Sequence, residues 1–187
     1  MNELYIIFEG VIELESAKEL YNALLSADPN KYNKINLIFS SVGGNIYLGF
    51  FLANGIQNSK IPVRIHANNR IDSIANIIYL SVKERTAEAF ARFYLHGASM
   101  TINDGYKKDF EEGVNSLKVE NERIAQYIAD NIGRSFGDVA KLMEERGSKS
   151  AQEALEYGIV QSLSHLEIPP NSDRIEIPYI ITKKENA

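Results

Sequence analysis

The chain predicts an α/β fold in which parallel strands are joined by crossover helices. Short β-branched and aromatic runs alternate with stretches whose apolar residues recur at helical spacing, and the connectors between them are brief. Such alternation sets consecutive strands side by side and parallel, because each helix returns the chain to the same end of the sheet. The 187 residues suit one domain spanning 1–187, and a hydrophobic content of 44% supplies a core. No repeat, low-complexity tract or linker divides them.

Leu4 to Phe8 is a β-rich run, and Glu15 to Leu25 places Leu20, Leu24 and Leu25 at helical spacing behind Ser16. Asp28-Pro29-Asn30 ends that helix. Ile35 to Phe39 is a second strand running to a Gly43-Gly44 turn, and Ile46 to Ile56 is helical through Leu48, Phe51, Leu52 and Ile56. Pro62 to Ala67 predicts a third strand, Ser73 to Lys83 a helix, and Arg92 to His96 a fourth strand. From about Tyr106 to Asn131 a long polar helix carries a narrow apolar seam of Phe110, Val114, Leu117, Ile124 and Ile128, with Asn121 as its polar position. A seam this narrow suits either packing against another long helix or a surface position along its own domain. Gly113 within it costs roughly 1 kcal/mol against alanine, so packing or a bend should account for it. Ser135 to Arg146 is a further helix, and Ser150 to Gly158 a short one stopped by glycine. Ile159 to Leu163 predicts the last core strand, which bounds a core of about residues 4–163. In the extension 164–187, two prolines stiffen the connection to Ile175–Thr182, a possible edge strand, before a charged tail.

Composition excludes several classes of function. There are no cysteines, hence no disulfide frame and no thiolate metal site. His66, His96 and His165 are widely separated, which argues against a zinc cluster, and no cofactor is implied. A net charge of −5 gives no electrostatic footprint for nucleic acid. The N-terminus lacks a basic segment before its short apolar run, and no stretch is long enough to span a bilayer. A cytoplasmic protein without membrane or nucleic-acid partners is the expectation.

Three features together carry chemistry. Ser40-Ser-Val-Gly-Gly-Asn ends a strand, Ser73 lies between a strand and an apolar helix, and His96 closes Arg92-Phe-Tyr-Leu-His. A hydroxyl attacks a carbonyl only if a base takes its proton, and imidazole is the side chain best matched to that task. The oxyanion that forms needs preorganised N–H donors, which a Gly-Gly turn and a helix N-terminus can supply. The combination reads as acyl transfer. Each part also has a plainer reading. Asp72-Ser73 is what a helix N-cap looks like, His96 could be a core histidine, and Gly43-Gly44 could be only a turn. His66, alternating with Val63 and Ile65, reads as structural, and His165 as exposed.

From Tyr5 to about Leu163 the chain resembles the proteolytic subunit of the Clp protease, ClpP. Four ordered blocks carry the likeness. Ile35-Asn-Leu-Ile-Phe-Ser-Ser-Val-Gly-Gly resembles a strand that ends in Ser-Pro-Gly-Gly; Asp72-Ser73-Ile74-Ala75 falls where the family has Ala-Ser-Met-Gly. Arg92 to His96 matches the strand that delivers a catalytic histidine. Ser150-Ala-Gln-Glu-Ala-Leu-Glu-Tyr-Gly-Ile-Val is similar to Ser-Ala-x-Glu-Ala-x-Glu-Tyr-Gly-x-Val. The resemblance implies a ClpP/crotonase-like fold of repeated strand-strand-helix turns with a protruding handle helix. It further implies a serine peptidase acting on peptides or unfolded protein, and a homo-oligomer of stacked heptameric rings. Ser73 would be nucleophile and His96 base, with Gly43 and Ile74 as oxyanion donors and Gly44, Asn45 and Gly97 beside the bound peptide.

The departures from the family pattern are specific. Its third catalytic residue, an aspartate, falls on Arg146, which has no acceptor to offer the histidine. Glu145 is the nearest substitute, with Glu144, Asp104 or a backbone carbonyl as others. Val42 replaces a proline and Asn69 a glycine. The chain also begins almost at the first strand, which leaves open any partnership with an ATP-driven unfoldase. Two rival readings follow, a catalytically impaired assembly subunit and a crotonase-type acyl-CoA enzyme.

Overall fold

Strand β1 (Asn2–Ile12) pairs in parallel with β2 (Tyr32–Gly44), and β2 pairs in parallel with β3 (Val63–Asp72). The computed structural model describes residues 2–102 and 104–178. Residues Ile35 to Ser41 of β2 are buried without interruption, as expected of a parallel strand covered on both faces. Helix α1 (Leu14–Ser26) makes the first crossover and α2 (Ile46–Gln57) the second. Glu13 and Ser16 cap α1 reciprocally, and the Asn45 side chain accepts the Leu48 N–H to start α2.

Strand β3 then divides its loyalties. Ile65–Ala67 pair with β4 (Arg85–Ala87), while Arg70–Asp72 pair with β5 (Arg92–Tyr94), both in parallel. Strand β6 (Ser148–Ser150) lies antiparallel to β5, β7 (Ser162–Leu163) pairs with β4, and β8 (Asp173–Ile177) lies beside β1. The order β6-β5-β3-β2-β1-β8, with β4 and β7 branching from β3, makes an eight-stranded mixed sheet. Residues 179–182 of the expected edge strand, and the tail after them, lie outside the described residues. No helix among the described residues is long and apolar enough to cross a membrane.

Two expectations need correction. The helix expected over Ser73–Lys83 contracts to α3 (Ala75–Tyr79). Leu80 N–H bonds Asn76 O, and Ser81 donates both its N–H and its hydroxyl to Ile78 O, closing the last turn before the chain enters β4. Strands β4 and β6 were not expected, because Arg-Thr-Ala and Ser-Lys-Ser carry no apolar run; their partners make them strands.

Helix α4 (Lys107–Ile132) resolves the question of its seam by splitting it. Ile124, Ala125, Ile128 and Ala129 are buried in the chain's own core, whereas Phe110 and Val114 are 48% and 67% exposed. Gly113 is explained by packing. A Cβ there would lie 2.9 Å from both Met100 Sδ and Ile102 Cδ1, so the missing side chain lets the loop after β5 sit on the helix. Helices α5 (Phe136–Glu144) and α6 (Ala151–Tyr157) complete the fold, α6 between a Ser150–Glu153 capping box and a left-handed Gly158.

Several buried polar side chains find partners within the core. His66 contacts Thr86 Oγ1 at 2.8 Å and Glu88 Oε1 at 3.3 Å, while the exposed His165 reaches the same Glu88 oxygen at 2.9 Å. Arg85 is 5% exposed and donates to four carbonyls: Val82 O (2.6 Å), Ile159 O (2.9 Å), Gly158 O and Asn131 O (both 3.4 Å). Two of these carbonyls lie just past α6 and one is near the end of α4, where unpaired carbonyls concentrate negative potential. Arg85→Leu should therefore leave buried carbonyls without a donor and cost about 3 kcal/mol. At this chain length that lowers the melting midpoint by about 10 °C, measurable by calorimetry.

Candidate active site

Ser73 stands on a sharp turn between β3 and α3, with φ at 56°, in the left-handed region that serine rarely adopts. Four hydrogen bonds hold the turn there. Ser73 N–H donates to Tyr94 O at 2.9 Å, and the Asn76 side chain donates to Tyr94 O, Ser73 O and Ile71 O at 3.0–3.2 Å. Asn76 is fully buried, so these bonds face no competition from water. Ser73 does not cap α3, whose N-cap position is Ile74 without a side-chain cap bond, and no hydrogen bond engages Ser73 Oγ among the described residues. Asp72 points elsewhere, paired with Arg70 and, at 3.5 Å, with Arg92 Nη2.

Gly43 and Gly44, expected as a turn, are instead the last residues of β2, paired with Val11 and Ile12 of β1, and this strand end abuts the serine. A Cβ on Gly43, where φ is +90°, would stand 2.7 Å from Ser73 Cβ and 2.9 Å from Asp72 O, so glycine is required for both conformation and space. The register shift between β2 and β3, between Phe39 and Ser41, precedes this strand end. The Gly43 N–H donates to Ser41 Oγ at 3.1 Å, and the Ile74 N–H has no acceptor among the described residues.

His96 follows β5 and is half-buried, its ring against Tyr94 with centroids 4.9 Å apart. Its Nδ1 lies 2.7 Å from Gly97 O. A carbonyl only accepts, so this contact places a proton on Nδ1, and in the neutral tautomer that it favours the lone pair lies on Nε2. Ser73, Ile74, His96, Gly44 and Asn45 line one cleft of about 280 Å³, while Gly97 lines an adjoining cavity of about 700 Å³ together with His96.

The position expected to orient His96 holds a cation. Leu95 N–H bonds Gly147 O, continuing the antiparallel β5–β6 ladder, so Arg146 falls opposite His96 in register. Arg146 and Glu144 line the larger cavity with His96. Glu145 is exposed, 3.8 Å from Lys141 Nζ, and borders neither space; Asp104 is also exposed. Arg146 has a φ of 53°, and with Ser73 it is one of two non-glycine residues of positive φ among those described. Its N–H bonds Met143 O and the Gly147 N–H bonds Leu142 O, a helix C-terminal motif in which glycine ordinarily takes the left-handed position. Both strained residues thus line spaces that His96 also lines.

Three residues of this region were not singled out as site residues. Asn76 was hidden in an apolar run, where a lone amide is the available signal. Asn121 accepts the Ala98 N–H at 2.6 Å, tying the segment after His96 to α4. Glu120 lines the cleft beside Ser73, indistinguishable by sequence from the other charges of a polar helix. No cluster of metal-ligating side chains occurs among the described residues.

Comparison with known proteins agrees with this architecture. The family model described as Clp protease matches residues 1–166. The ATP-dependent Clp protease proteolytic subunit 2 of Treponema denticola is 26% identical over 166 residues, covering 88% of this chain and 83% of its own. The ATP-dependent Clp protease proteolytic subunit of Bacteroides fragilis is 27% identical over 164 residues, with 84% and 78% covered. A mutant of ClpP1 from Listeria monocytogenes superposes with a TM-score of 0.78 at 23% identity, over 87% of this chain and 91% of that one, which establishes the shared fold. With its strand-strand-helix turns, its 26-residue handle helix and a family match over most of its length, this chain belongs to the Clp protease family.

Proposed function

We propose that the chain is a serine peptidase that cleaves peptides or unfolded protein segments, with Ser73 as nucleophile and His96 as general base. One observation carries the reading: an unbonded Ser73 hydroxyl on a strained turn shares a cleft with a histidine whose favoured neutral tautomer carries its lone pair on Nε2. In this reading His96 Nε2 takes the Ser73 proton as Oγ attacks the carbonyl, then gives it to the leaving amine; water, activated by the same nitrogen, releases the acyl group. The oxyanion would lie on the Ile74 and Gly43 N–H groups. Gly43 would exchange its bond to the Ser41 hydroxyl for a stronger one to a charged oxygen. The peptide would lie extended beside Gly44, Asn45 and Gly97, adding main-chain hydrogen bonds.

What orients the imidazole is the unusual part of the proposal. Glu145 can reach the ring only if the turn after α5 slips by one residue, and without that slip Gly97 O is the orienting group. A second reading, an assembly subunit of low activity, draws on Arg146 opposite His96. In either case the chain would form stacked rings of identical subunits, with the exposed Phe110 and Val114 of α4 as the contact between them.

Ser73→Ala should abolish peptide hydrolysis and labelling by a fluorophosphonate while leaving the melting temperature nearly unchanged. Turnover that survives the change would sink the peptidase reading, and an unlabelled parent chain would favour the assembly subunit. Arg146→Asp restores a carboxylate opposite the ring, and aspartate tolerates a left-handed backbone better than arginine. Turnover should rise by about tenfold or more, given that loss of such a carboxylate costs on the order of 10⁴. If instead Glu145→Gln lowers the rate strongly, Glu145 is the third member.

Replacing Phe110 and Val114 by glutamate should put desolvated like charges into the ring contact and halve the particle mass in light scattering, with unaltered circular dichroism. A monomeric parent chain would exclude that contact.

A further inference from the structure

The cleft beside Ser73 contains a carboxylate whose charge is poorly answered. Glu120, on α4, lines the same space as Ser73 and His96. Its side chain is 16% exposed, and Oε2 is closed off from solvent without a hydrogen-bond partner. The neighbouring cation is Arg123, one turn along the helix, whose Nη1 stops 3.5 Å from that oxygen. Arg123 has another commitment, since its guanidinium carbon sits 3.7 Å from the centroid of the Phe50 ring. Stacking there holds it off the geometry that a charge-assisted hydrogen bond needs.

A carboxylate drawn out of water is stable when paired and hydrogen-bonded, and Glu120 lacks the second condition. Because the side chain lines a cleft and keeps 16% of its surface open, a cation in the cleft can approach the carboxylate from its open side and answer its charge. The rest of the wall narrows the choice. Met100, Leu117 and Ile124 give an apolar surface, and Ser116 adds a hydroxyl. An apolar wall with a carboxylate beside it fits a lysine or arginine side chain, which lays its methylene stem on apolar surface and keeps a cation at the tip. Norleucine would bury the same stem with no ion pair, and a glutamate would be repelled.

We propose that Glu120 makes the cleft recognise a lysine or arginine side chain of a peptide residue next to the bond to be cleaved. The inference rests on the peptidase reading for the words about cleavage and on the cleft alone for recognition. A carboxylate in the pocket next to a serine nucleophile is an established way of selecting basic residues, so the chemistry asks for nothing new.

The test separates the two. Fluorescent peptides identical except for lysine, norleucine or glutamate at this residue are titrated by anisotropy against the Ser73→Ala variant, which cannot consume them. The lysine peptide should bind about tenfold more tightly than the norleucine peptide, a difference of about 1.4 kcal/mol, and high salt should reduce the gap. Adding Glu120→Gln should bring the two within about twofold, and Glu120→Lys should favour the glutamate peptide. Equal binding in the Ser73→Ala variant, or a lysine preference that survives Glu120→Gln, overturns the proposal. The same peptides are then given to the parent chain. A lysine preference in binding with no hydrolysis of any peptide would refute the peptidase and leave the recognition standing; hydrolysis indifferent to this residue would refute the recognition and leave the peptidase standing.

Discussion

One carbonyl oxygen, that of Tyr94, accepts both the Ser73 N–H and the Asn76 side chain, and the arrangement of the site depends on that pairing. Tyr94 is the last residue of β5 and lies two positions before His96, while Ser73 is the first residue beyond β3. The bonds therefore weld the turn bearing the hydroxyl to the strand bearing the imidazole. They also bear the strain of a serine in the left-handed region, a cost of order 1–3 kcal/mol that a single exposed bond would not hold. Asn76 can do this because it is fully buried and its amide donors meet three carbonyls. The same enclosure leaves its own Oδ1 without a partner, a penalty accepted where the geometry is set.

The sheet reaches that point by a change of partner. Strand β3 pairs with β4 along one part of its length and with β5 along another, so β5, and β6 beside it, lie at the end of β3 that leads into Ser73. The shift in register between β2 and β3 precedes the strand end that sets Gly43 against Ser73. Antiparallel β6 then delivers the turn after α5 to the far side of His96. Three separate stretches of chain thus meet around His96, which shares one space with Ser73 and another with Arg146. The Nδ1–H of His96 donates to Gly97 O, so a backbone carbonyl and not a carboxylate is its partner at that nitrogen.

Helix α4 shows how one element can serve several ends. Its C-terminal half buries Ile124, Ala125 and Ile128 in the core, its middle presents Glu120 and Asn121 to the cleft and the segment after His96, and its N-terminal half leaves Phe110 and Val114 uncovered. Gly113 marks the place where the loop carrying Met100 and Ile102 crosses it. A ligand in the cleft and a partner on the exposed half would touch the same rigid rod.

The order of elements was legible from the chain alone, because hydrophobic period and capping are local. The alternation through β3, the long polar helix, the Ser150–Glu153 box and the stop at Gly158 needed only neighbours a few residues apart. So did the identity of the chemistry-bearing side chains, where Ser73, His96 and the Gly-Gly pair stand out in order and spacing. The strands β4 and β6, the contraction of α3 and the division of the α4 seam belonged to tertiary structure, since each depends on which surface covers which residue. The site was legible in its parts and not in its arrangement. That Asn76 holds the turn, that Gly97 O accepts the Nδ1–H, that Arg146 falls opposite His96 in register and that Glu120 alone among the helix charges meets the cleft beside Ser73 are consequences of register and packing. A side chain's type is written in the sequence, but its partner is decided by residues far away that the fold brings within 3 Å or so of it.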